Sequence, residues 1–305
     1  MRAGPDLTTT LGPLHLRSPL VAASGTVGSV IDFAPVGALE AYGAAVAKSV
    51  SGDPWPGRAQ PRLAPAGTGM LNGVGIQNPG IERWADEVGP LLGTLDVPVW
   101  GSAVGTTAEE FCRVAKGLAR VGVQAVEVNL SCPNLESGTM FALDPPASGE
   151  VVAAVRGAVD VPVGAKLSPN AGDIVAVAGA VVEGGADWVV LTNTIWGAGF
   201  DPGSRRPLLS GVVGGYSGAP LKPIALRCVW EVRRHLSHVP IVGCGGVRSG
   251  SDVVEYLLAG AQAVALGTVN LAEPRAGRRI RRELEAHCRR HGIVDIGELV
   301  GGARS

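Results

Sequence analysis

Cysteine is scarce in this sequence, and its arrangement excludes several kinds of site. The cysteines are odd in number and include no Cys-x-x-Cys pair; they are Cys112, Cys132, Cys228, Cys244 and Cys288. This pattern argues against a disulfide framework, a structural zinc site or an iron–sulfur cluster held by this chain alone. We therefore expect no metal site, and a reducing cytoplasm fits the composition.

Long hydrophobic runs and an excess of charge are missing too. The opening sequence, MRAGPDLTTTLGPLHL, lacks the apolar segment of a signal peptide, and no run of about 18 apolar residues follows. The net charge is −1 and 17% of the 305 residues are charged, which favours neither nucleic acid nor a membrane surface as a partner. The exposed face of a last helix is expected to carry Arg278, Arg279, Arg281 and Arg282. A soluble, cytoplasmic protein is expected.

What the sequence does contain is a weak internal repeat of two alternating phrases. A Gly-Ala-x-x-Val phrase or a close variant begins at Gly122, Gly185 and Gly260, with a degenerate copy at Gly43. A Val-Pro-Val/Ile phrase begins at Val97, Val161 and Val239. Each phrase opens a short apolar run with little polar alternation, which is typical of a strand buried on both faces. The run PLVAASG, from Pro19, brings the number of predicted strands to eight.

Eight strands that alternate with helical stretches predict a (β/α)8 TIM barrel. Helical spacing occurs at 106–121, 172–184, 220–236 and 250–259, and glycine commonly ends each stretch. We expect residues 1–305 to form a single barrel domain. A doubly wound open sheet is the alternative, but GCGGVRSG has Arg248 where a dinucleotide-binding turn needs its third glycine. Inserted segments at 49–80, 131–147 and 194–218 follow strands, so they should lie at the C-terminal face of the barrel, where active sites occur.

The predicted carboxyl ends of the strands carry polar residues and glycines. In chain order they are Ser24-Gly25, Lys48-Ser49, Ser102, Asn129, Lys166, Asn193-Thr194, Gly245-Gly246 and Gly267-Thr268. The glycine-rich turns after strands seven and eight leave N–H groups free to surround an anion, and the next helix begins near Ser249. Glycines also form ordinary turns, but two successive loops on the strands that often bind phosphate in barrels favour a phosphate site.

A lysine and four asparagines add binding chemistry to this end of the barrel. A buried ammonium at Lys166 costs free energy unless an anion partners it. No acid is expected at a neighbouring strand end, so the predicted partner is a ligand anion, for example flavin mononucleotide (FMN), whose ring gains negative charge during turnover. Amides match the N–H and C=O edges of a cyclic imide or ureide. Asn72 and Asn134 also fit ordinary turns, whereas Asn129 and Asn193 end buried strands.

Cys132 lies in the segment VNLSCPN, just beyond the strand that ends at Asn129. The histidines lie away from the predicted strand ends, so a Cys–His nucleophilic pair is unsupported; they are His15, His235, His238, His287 and His291. A thiolate whose pKa is lowered by lysines or helix dipoles can act as a general base. The following LESGTMFALDPP has the small residues of a lid. The alternative for Cys132 is a buried structural thiol.

The chain resembles the class 1 dihydroorotate dehydrogenase family, most of all the catalytic subunit of the NAD-linked class 1B enzymes. The matching motifs run through nearly the whole chain and are specific only together: AASGT (22–26), AKS (47–49), MLNGVGIQNPG (70–80), VNLSCPN (128–134), KLSPN (166–170), TNT (192–194), GGYSGAPLKPIALR (214–227), GCGGV (243–247) and ALGT (265–268). The resemblance implies flavin-dependent oxidation of (S)-dihydroorotate to orotate in de novo pyrimidine biosynthesis. Cys132 would remove the C5 proton while hydride leaves C6 for N5 of FMN.

The resemblance also implies two sets of binding residues. FMN would contact Ser24, Lys48, Ser49, Asn129, Lys166, Thr192, Gly218, Gly245, Gly246, Gly267 and Thr268, with Ser102 where the family usually has a flavin-contacting Asn. Substrate would contact Lys48, Asn72, Gly73, Val74, Gly75, Ile76, Asn129, Asn134, Asn193 and Thr194. Further departures from the family are Trp196, Tyr216 and Ala219, where an aliphatic residue, Leu and Pro are usual.

The motif IQNPG resembles the branch of the family that works with a partner. The resemblance implies a separate electron-transfer subunit that carries FAD and a [2Fe–2S] cluster and passes electrons to NAD, in a homodimer or heterotetramer. Cysteine rather than serine as base, and the lack of a hydrophobic N-terminal extension, separate the chain from the membrane-associated class 2 enzymes. Three alternatives are a flavin enzyme for another dihydropyrimidine, an aldolase that uses Lys166 as a Schiff base, and a binding protein without catalysis.

Overall fold

Eight parallel strands form a closed barrel at the centre of the computed structural model, which describes residues 4–130 and 140–303. Numbered β1 to β8 in chain order, they are Leu20–Ala22, Ala44–Val46, Val99–Ala103, Ala125–Asn129, Val163–Lys166, Trp188–Leu191, Ile241–Cys244 and Ala263–Leu266. Each strand pairs with the next along the chain, and β8 pairs with β1 to close the ring. Every strand lies within one of the eight predicted runs. The predicted barrel is therefore confirmed, and the open-sheet alternative is wrong.

Side chains of the barrel strands alternate between two hydrophobic layers. On β4, Val126 and Val128 pack outward among the helices, whereas Ala125 belongs to the cluster inside the barrel. Successive side chains of a strand point to opposite faces, so Glu127 and Asn129 share the inward direction of Ala125. This alternation decides which polar residues of a barrel strand can reach the cavity.

Helices surround the barrel, and four of them coincide with predicted stretches. In chain order, α1 to α8 are Ile81–Val88, Ala108–Arg120, Pro145–Arg156, Ile174–Glu183, Lys222–His235, Gly250–Leu258, Val269–Ala272 and Ala276–His291. The side chains of Thr107, Asp144, Asp173 and Ser249 cap α2, α3, α4 and α6 by accepting N–H donors of the first turn. Within the described ranges, no helix is long and apolar enough to cross a bilayer.

The arginine-rich stretch lies on the surface of α8, as predicted. Arg278 pairs with Glu40, and Arg279 pairs with Glu273 and Glu283. Exposed ion pairs of this kind contribute about 1 kcal/mol or less to stability. The stretch is therefore a solvated helix face.

Two of the long segments between strands combine into one antiparallel sheet at the barrel mouth, which we call the mouth sheet. Its strands, in spatial order, are Ile195–Ala198, Val213–Gly218, Gly69–Asn72 and Leu63–Ala66. A smaller hairpin joins Phe200–Asp201 to Arg206–Pro207. The position of both segments at the mouth was predicted from the sequence. Their mutual pairing was not, because it joins residues about 150 positions apart.

The other end of the barrel is covered by an N-terminal hairpin that the sequence analysis missed. It pairs Thr9–Leu11 with Leu14–Leu16, and both Leu11 and Leu16 pack into the cluster inside the barrel. Gly12, in the turn, lies against the carbonyl of Asp187, which precedes β6. Short 3-10 turns occur at Leu39–Ala41, Gly89–Thr94, Phe141–Leu143, Ala219–Leu221 and Ile296–Leu299.

Two glycine-to-alanine changes should have opposite effects on stability. Gly164 of β5 is paired with Trp188 of β6, and an added Cβ would overlap the buried Trp188 indole. We expect Gly164→Ala to lower the free energy of unfolding by about 1–3 kcal/mol through overpacking. Gly179 lies inside α4 with no atom within 4 Å of an added Cβ, so Gly179→Ala should raise stability by about 0.5–1 kcal/mol.

Urea unfolding followed by circular dichroism measures both changes against the parent protein. A Gly164→Ala variant as stable as the parent would mean that the barrel interior is looser than the strand pairing requires.

Candidate active site

A cavity of about 450 Å³ opens at the carboxyl ends of the barrel strands, against the mouth sheet. Its walls contain most of the residues that the sequence predicted for cofactor and substrate. These are Ser24, Lys48, Ser49, Asn72, Val74, Gly75, Ile76, Asn129, Lys166, Thr192, Asn193, Thr194, Gly218, Gly245, Gly246, Gly267 and Thr268. Residues that lie far apart along the chain therefore meet around one space, because parallel strands bring their carboxyl ends together.

Four predicted residues are not among the described residues that line the cavity. Cys132 and Asn134 lie outside the described residues. Gly73 is buried beside the cavity and donates its N–H to the carbonyl of Arg62 at 2.7 Å. Ser102 is wholly buried, and its hydroxyl is 2.8 Å from that of Ser49. Ser102 therefore contacts Ser49, which lines the cavity, and does not itself line it.

Two strand-end amides are held in fixed orientations by hydrogen bonds to each other and to their neighbours. Asn193 Nδ2 donates to Asn129 Oδ1 at 3.3 Å, and Asn129 Nδ2 donates to Ser49 Oγ at 3.1 Å. Asn193 Oδ1 accepts the N–H of Thr194 at 2.8 Å. The third amide, Asn72, donates to a carbonyl of the neighbouring mouth-sheet strand. Amides fixed in this way discriminate between the N–H and C=O edges of a ring.

The turn at 73–76 carries backbone strain. Gly75 has a φ of 70° and Ile76 a φ of 56°, a region that β-branched residues rarely adopt. A buried amide holds the turn, since Asn78 Nδ2 donates to the Ile76 carbonyl at 2.7 Å and to Ser51 Oγ at 2.8 Å. The sequence analysis missed this role of Asn78, although the residue lies within the motif IQNPG.

The glycine turns after β7 and β8 form another wall of the cavity. Gly246 has a φ of 68°, and an added Cβ would lie 2.7 Å from the backbone nitrogen of Lys222, so only glycine fits there. At Gly25 and Gly267, in contrast, an added Cβ would meet no atom closer than 3.8 Å, so the space in front of these residues is open. Open backbone at the ends of barrel strands suits a phosphate group.

The start of α6 is already occupied by a carboxylate of this chain. Asp252 Oδ2 accepts the N–H groups of Arg248 at 2.7 Å and Ser249 at 2.9 Å, while Oδ1 pairs with Lys222 Nζ at 2.6 Å. Burial alone would raise the pKa of Asp252, but the hydrogen bonds from Lys222 and Arg248 outweigh it and hold the pKa below its ordinary value. The helix begins where it was predicted, but the N–H groups of the two residues just before it are committed to Asp252.

The sequence predicted a ligand anion as the partner of Lys166, because no acid was expected at a neighbouring strand end. That prediction was wrong, since an acid from within the neighbouring strand β4 is its partner. Glu127 Oε1 is 3.9 Å from Lys166 Nζ, and the two side chains are only 3% and 6% exposed. Ser24 Oγ links them, because it donates to Glu127 at 3.0 Å and accepts from Lys166 at 3.2 Å. A signal was present in the sequence: Glu127 lies two residues before Asn129, and strand alternation turns both towards the interior.

The three remaining departures from the family pattern lie at different places around the cavity. Trp196 is 40% exposed and shares a face of the mouth sheet with Asn72, two strands away. Tyr216 lies on the opposite face and packs in the cluster with Leu71. Ala219 lines the cavity itself.

The cavity fits a planar cofactor that carries a phosphate group. Its volume is within the range of about 300–1,000 Å³ that is usual for small-molecule sites. Lys48 and Lys166 supply cations, Ser24 a hydroxyl, and the open backbone at Gly267 a place for phosphate oxygens. In the part of the chain that the structure describes, no group of three or more His, Cys, Asp or Glu residues could hold a metal ion.

Comparisons with known proteins give a consistent result. The sequence matches the dihydroorotate dehydrogenase family over residues 6–288. Similar proteins from Pelobacter propionicus and Geobacter sulfurreducens, each named dihydroorotate dehydrogenase B (NAD(+)), catalytic subunit, are 42% and 43% identical over 299 residues, which cover 97% of this chain and 98% of each relative. The DHODH of Eimeria tenella, solved in complex with ferulenol, has a TM-score of 0.85 at 19% identity over 99% of this chain and 89% of that chain. This last likeness supports the fold alone.

Replacing Asp252 by Asn should destabilise the corner between α6 and the glycine turns. The change removes one of the two acidic partners of Lys222, the other being Glu255, and weakens the cap, so we expect a loss of about 1–2 kcal/mol at pH 7. The folded-state pKa of Asp252 is lowered, so its contribution is fully present above the unfolded pKa of about 3.9 and is lost as the pH falls through the lower folded value.

Urea unfolding at pH 7, 5 and 3.5 measures the difference in the free energy of unfolding between Asp252→Asn and the parent protein. Glu183→Gln is the matched control, because it removes an exposed carboxylate. The destabilisation should be equal at pH 7 and 5 and smaller at pH 3.5. A difference that grows as the pH falls would contradict the assignment.

Proposed function

Because the chain belongs to the dihydroorotate dehydrogenase family, in its class 1B branch, we propose that it oxidises (S)-dihydroorotate to orotate in de novo pyrimidine biosynthesis. One observation carries the proposal: strand-end amides, lysines and open glycine turns line a single cavity at the barrel mouth. A cyclic ureide that is oxidised beside a phosphorylated flavin needs these three kinds of group.

FMN is the proposed cofactor. Its phosphate would be held by the turns at Gly245, Gly246, Gly267 and Thr268, which the open space at Gly267 supports. Its ring would be held by Lys48, Asn129 and Lys166; further proposed contacts are Ser24, Ser49, Thr192 and Gly218, with Ser102 acting through Ser49. When bound, FMN supplies the acceptor for the hydride that leaves C6 of the substrate.

The substrate would be held by the amides and the strained turn. Asn72, Asn129, Asn193 and Asn134 would pair with ring N–H and C=O groups, with Thr194 beside them. The turn at 73–76, which comprises Gly73, Val74, Gly75 and Ile76, would present main-chain groups that Asn78 keeps in place. The Lys48 ammonium suits the carboxylate of dihydroorotate.

Cys132 is the proposed general base. It follows Asn129, which lines the cavity, by three residues in the sequence, and the family resemblance assigns it this role. A thiolate removes the proton from C5 while hydride leaves C6, and the C5=C6 double bond of orotate forms. The amides would prevent the substrate ring from rotating and would thereby keep its C5 atom directed at the base.

We also propose that electrons leave through a separate subunit that carries FAD and a [2Fe–2S] cluster and reduces NAD. The support is that the relatives are named as catalytic subunits of NAD(+)-linked enzymes. Cys228, Cys244 and Cys288 are buried in the described structure, so they are poorly placed to ligate a shared cluster. We further propose a homodimer or a heterotetramer and a cytoplasmic location. We also propose one domain per chain, which the closure of β8 on β1 supports.

Anaerobic addition of dihydroorotate should bleach the flavin absorbance of the purified protein. Dihydrouracil lacks the carboxylate, and a lost charged hydrogen bond is worth about 1.5–3 kcal/mol, so bleaching should be at least about tenfold slower. NAD alone should not restore the colour. Equal bleaching by both compounds would favour another dihydropyrimidine as substrate, and a colourless protein would remove the flavin from the proposal.

Cys132→Ala should slow flavin reduction by dihydroorotate about 10²–10⁴-fold at neutral pH, because the proton acceptor is lost. Its flavin content should equal that of the parent protein. Cys112→Ala, on α2, is the matched control and should reduce at the parental rate. Stopped-flow absorbance measures all three proteins, and an undiminished rate in Cys132→Ala would rule out the thiol as base.

A further inference from the structure

Glu127 is a buried carboxylate for which the proposed reaction has no role so far. It lies on β4 with its side chain inside the barrel and only 3% exposed. Its two partners, Ser24 and Lys166, both line the cavity, so Glu127 lies behind two proposed flavin contacts. A change in the charge of Glu127 would therefore be felt at the cavity wall.

Stability alone does not account for this buried pair. Buried ion pairs often stabilise a protein no better than apolar residues of similar volume, because the desolvation of both charges offsets their attraction. The 3.9 Å separation is also longer than a direct charged hydrogen bond, and the Ser24 hydroxyl bridges the gap. The arrangement positions Lys166 and Ser24 at the price of a buried anion.

Both charges lie near the thiol of Cys244, which belongs to the same wall. Cys244 ends β7 and lines the cavity. Burial raises the pKa of Cys244; in addition, the Lys166 ammonium lowers it and the Glu127 carboxylate raises it. The two charges therefore act on the cavity with opposite signs.

We propose that Glu127 is a positioning residue that holds Lys166 and Ser24 and sets the reduction potential of the flavin by offsetting the Lys166 charge. This inference rests on the proposed flavin function. Reduction adds negative charge to the ring, so an uncompensated ammonium would favour the reduced form, and the Glu127 carboxylate limits that preference. The substrate can then reduce the flavin, and the reduced flavin can still pass its electrons to the next acceptor.

Glu127→Gln tests the proposal, because the amide has the same shape and still accepts a hydrogen bond from Ser24. The ratio of the affinities for reduced and oxidised flavin should rise about tenfold. This corresponds to an increase of about 30 mV in the midpoint potential of a two-electron couple. Equilibration with a reference dye during slow anaerobic reduction measures the midpoint potential. Asp187→Asn is the matched control: Asp187 pairs with Arg156 at the amino end of β6, and its loss should leave the potential unchanged.

A double variant, Glu127→Gln with Lys166→Met, leaves no lone buried charge and covers the case in which Glu127→Gln does not fold. If the two charges offset each other, the double variant should have nearly the midpoint potential of the parent protein. The ratio of its affinities for reduced and oxidised flavin should then change less than threefold. If Glu127 has no influence, loss of the ammonium alone should lower the ratio about tenfold.

That lowering, or an unchanged potential in a flavin-loaded Glu127→Gln protein, would overturn the inference. These outcomes differ from a failure of the proposed function, which would appear as absence of bound flavin in the parent protein.

Discussion

The parallel pairing that closes the barrel from β8 back to β1 is the constraint on which the site depends. It places the carboxyl ends of all eight strands on one rim, and strand alternation then decides which residues face inward. Asn129 and Lys166 are register partners on β4 and β5, so the amide and the ammonium are neighbours by main-chain geometry alone. Asn193 reaches the same rim by following β6.

The barrel could be predicted from the sequence because its strands are short apolar runs introduced by repeated phrases. Strand ends then located part of the cavity wall without any knowledge of helix packing, whereas the turn at 73–76 was implied only by the family resemblance. The mouth sheet could not be predicted in the same way, since nothing local at 63–72 indicates pairing with Val213–Gly218. Burial of Ser102 behind Ser49 also depends on a contact between separate segments. The hold of Asp252 on N–H groups only three and four residues before it is local, in contrast. Glu127 is different: alternation was sufficient to find it, but only strand ends were considered.

Two lysines near the cavity have acids of their own, and this changes how its electrostatics should be understood. Lys166 is paired with Glu127 and Lys222 with Asp252, in both cases through side chains of the barrel or of its first helical turns. A lone buried ammonium would destabilise the protein before any ligand arrived. With internal partners, these two lysines do not require the ligand's charge, because each is already balanced by an acid of the chain.

The pairing register of the mouth sheet links the correct folding of this region to function. Leu63, Asn72, Gly215 and Trp196 form one row across its four strands, whereas Leu71 and Tyr216 belong to the adjacent row on the opposite face. A slip of one residue would exchange the two faces, turning Leu71 towards the catalytic space and Asn72 away from it. Since these strands come from distant parts of the chain, their alignment is completed only after slow loop closure. A molecule with an intact barrel but a slipped mouth sheet would therefore lack a complete cavity wall and would be inactive.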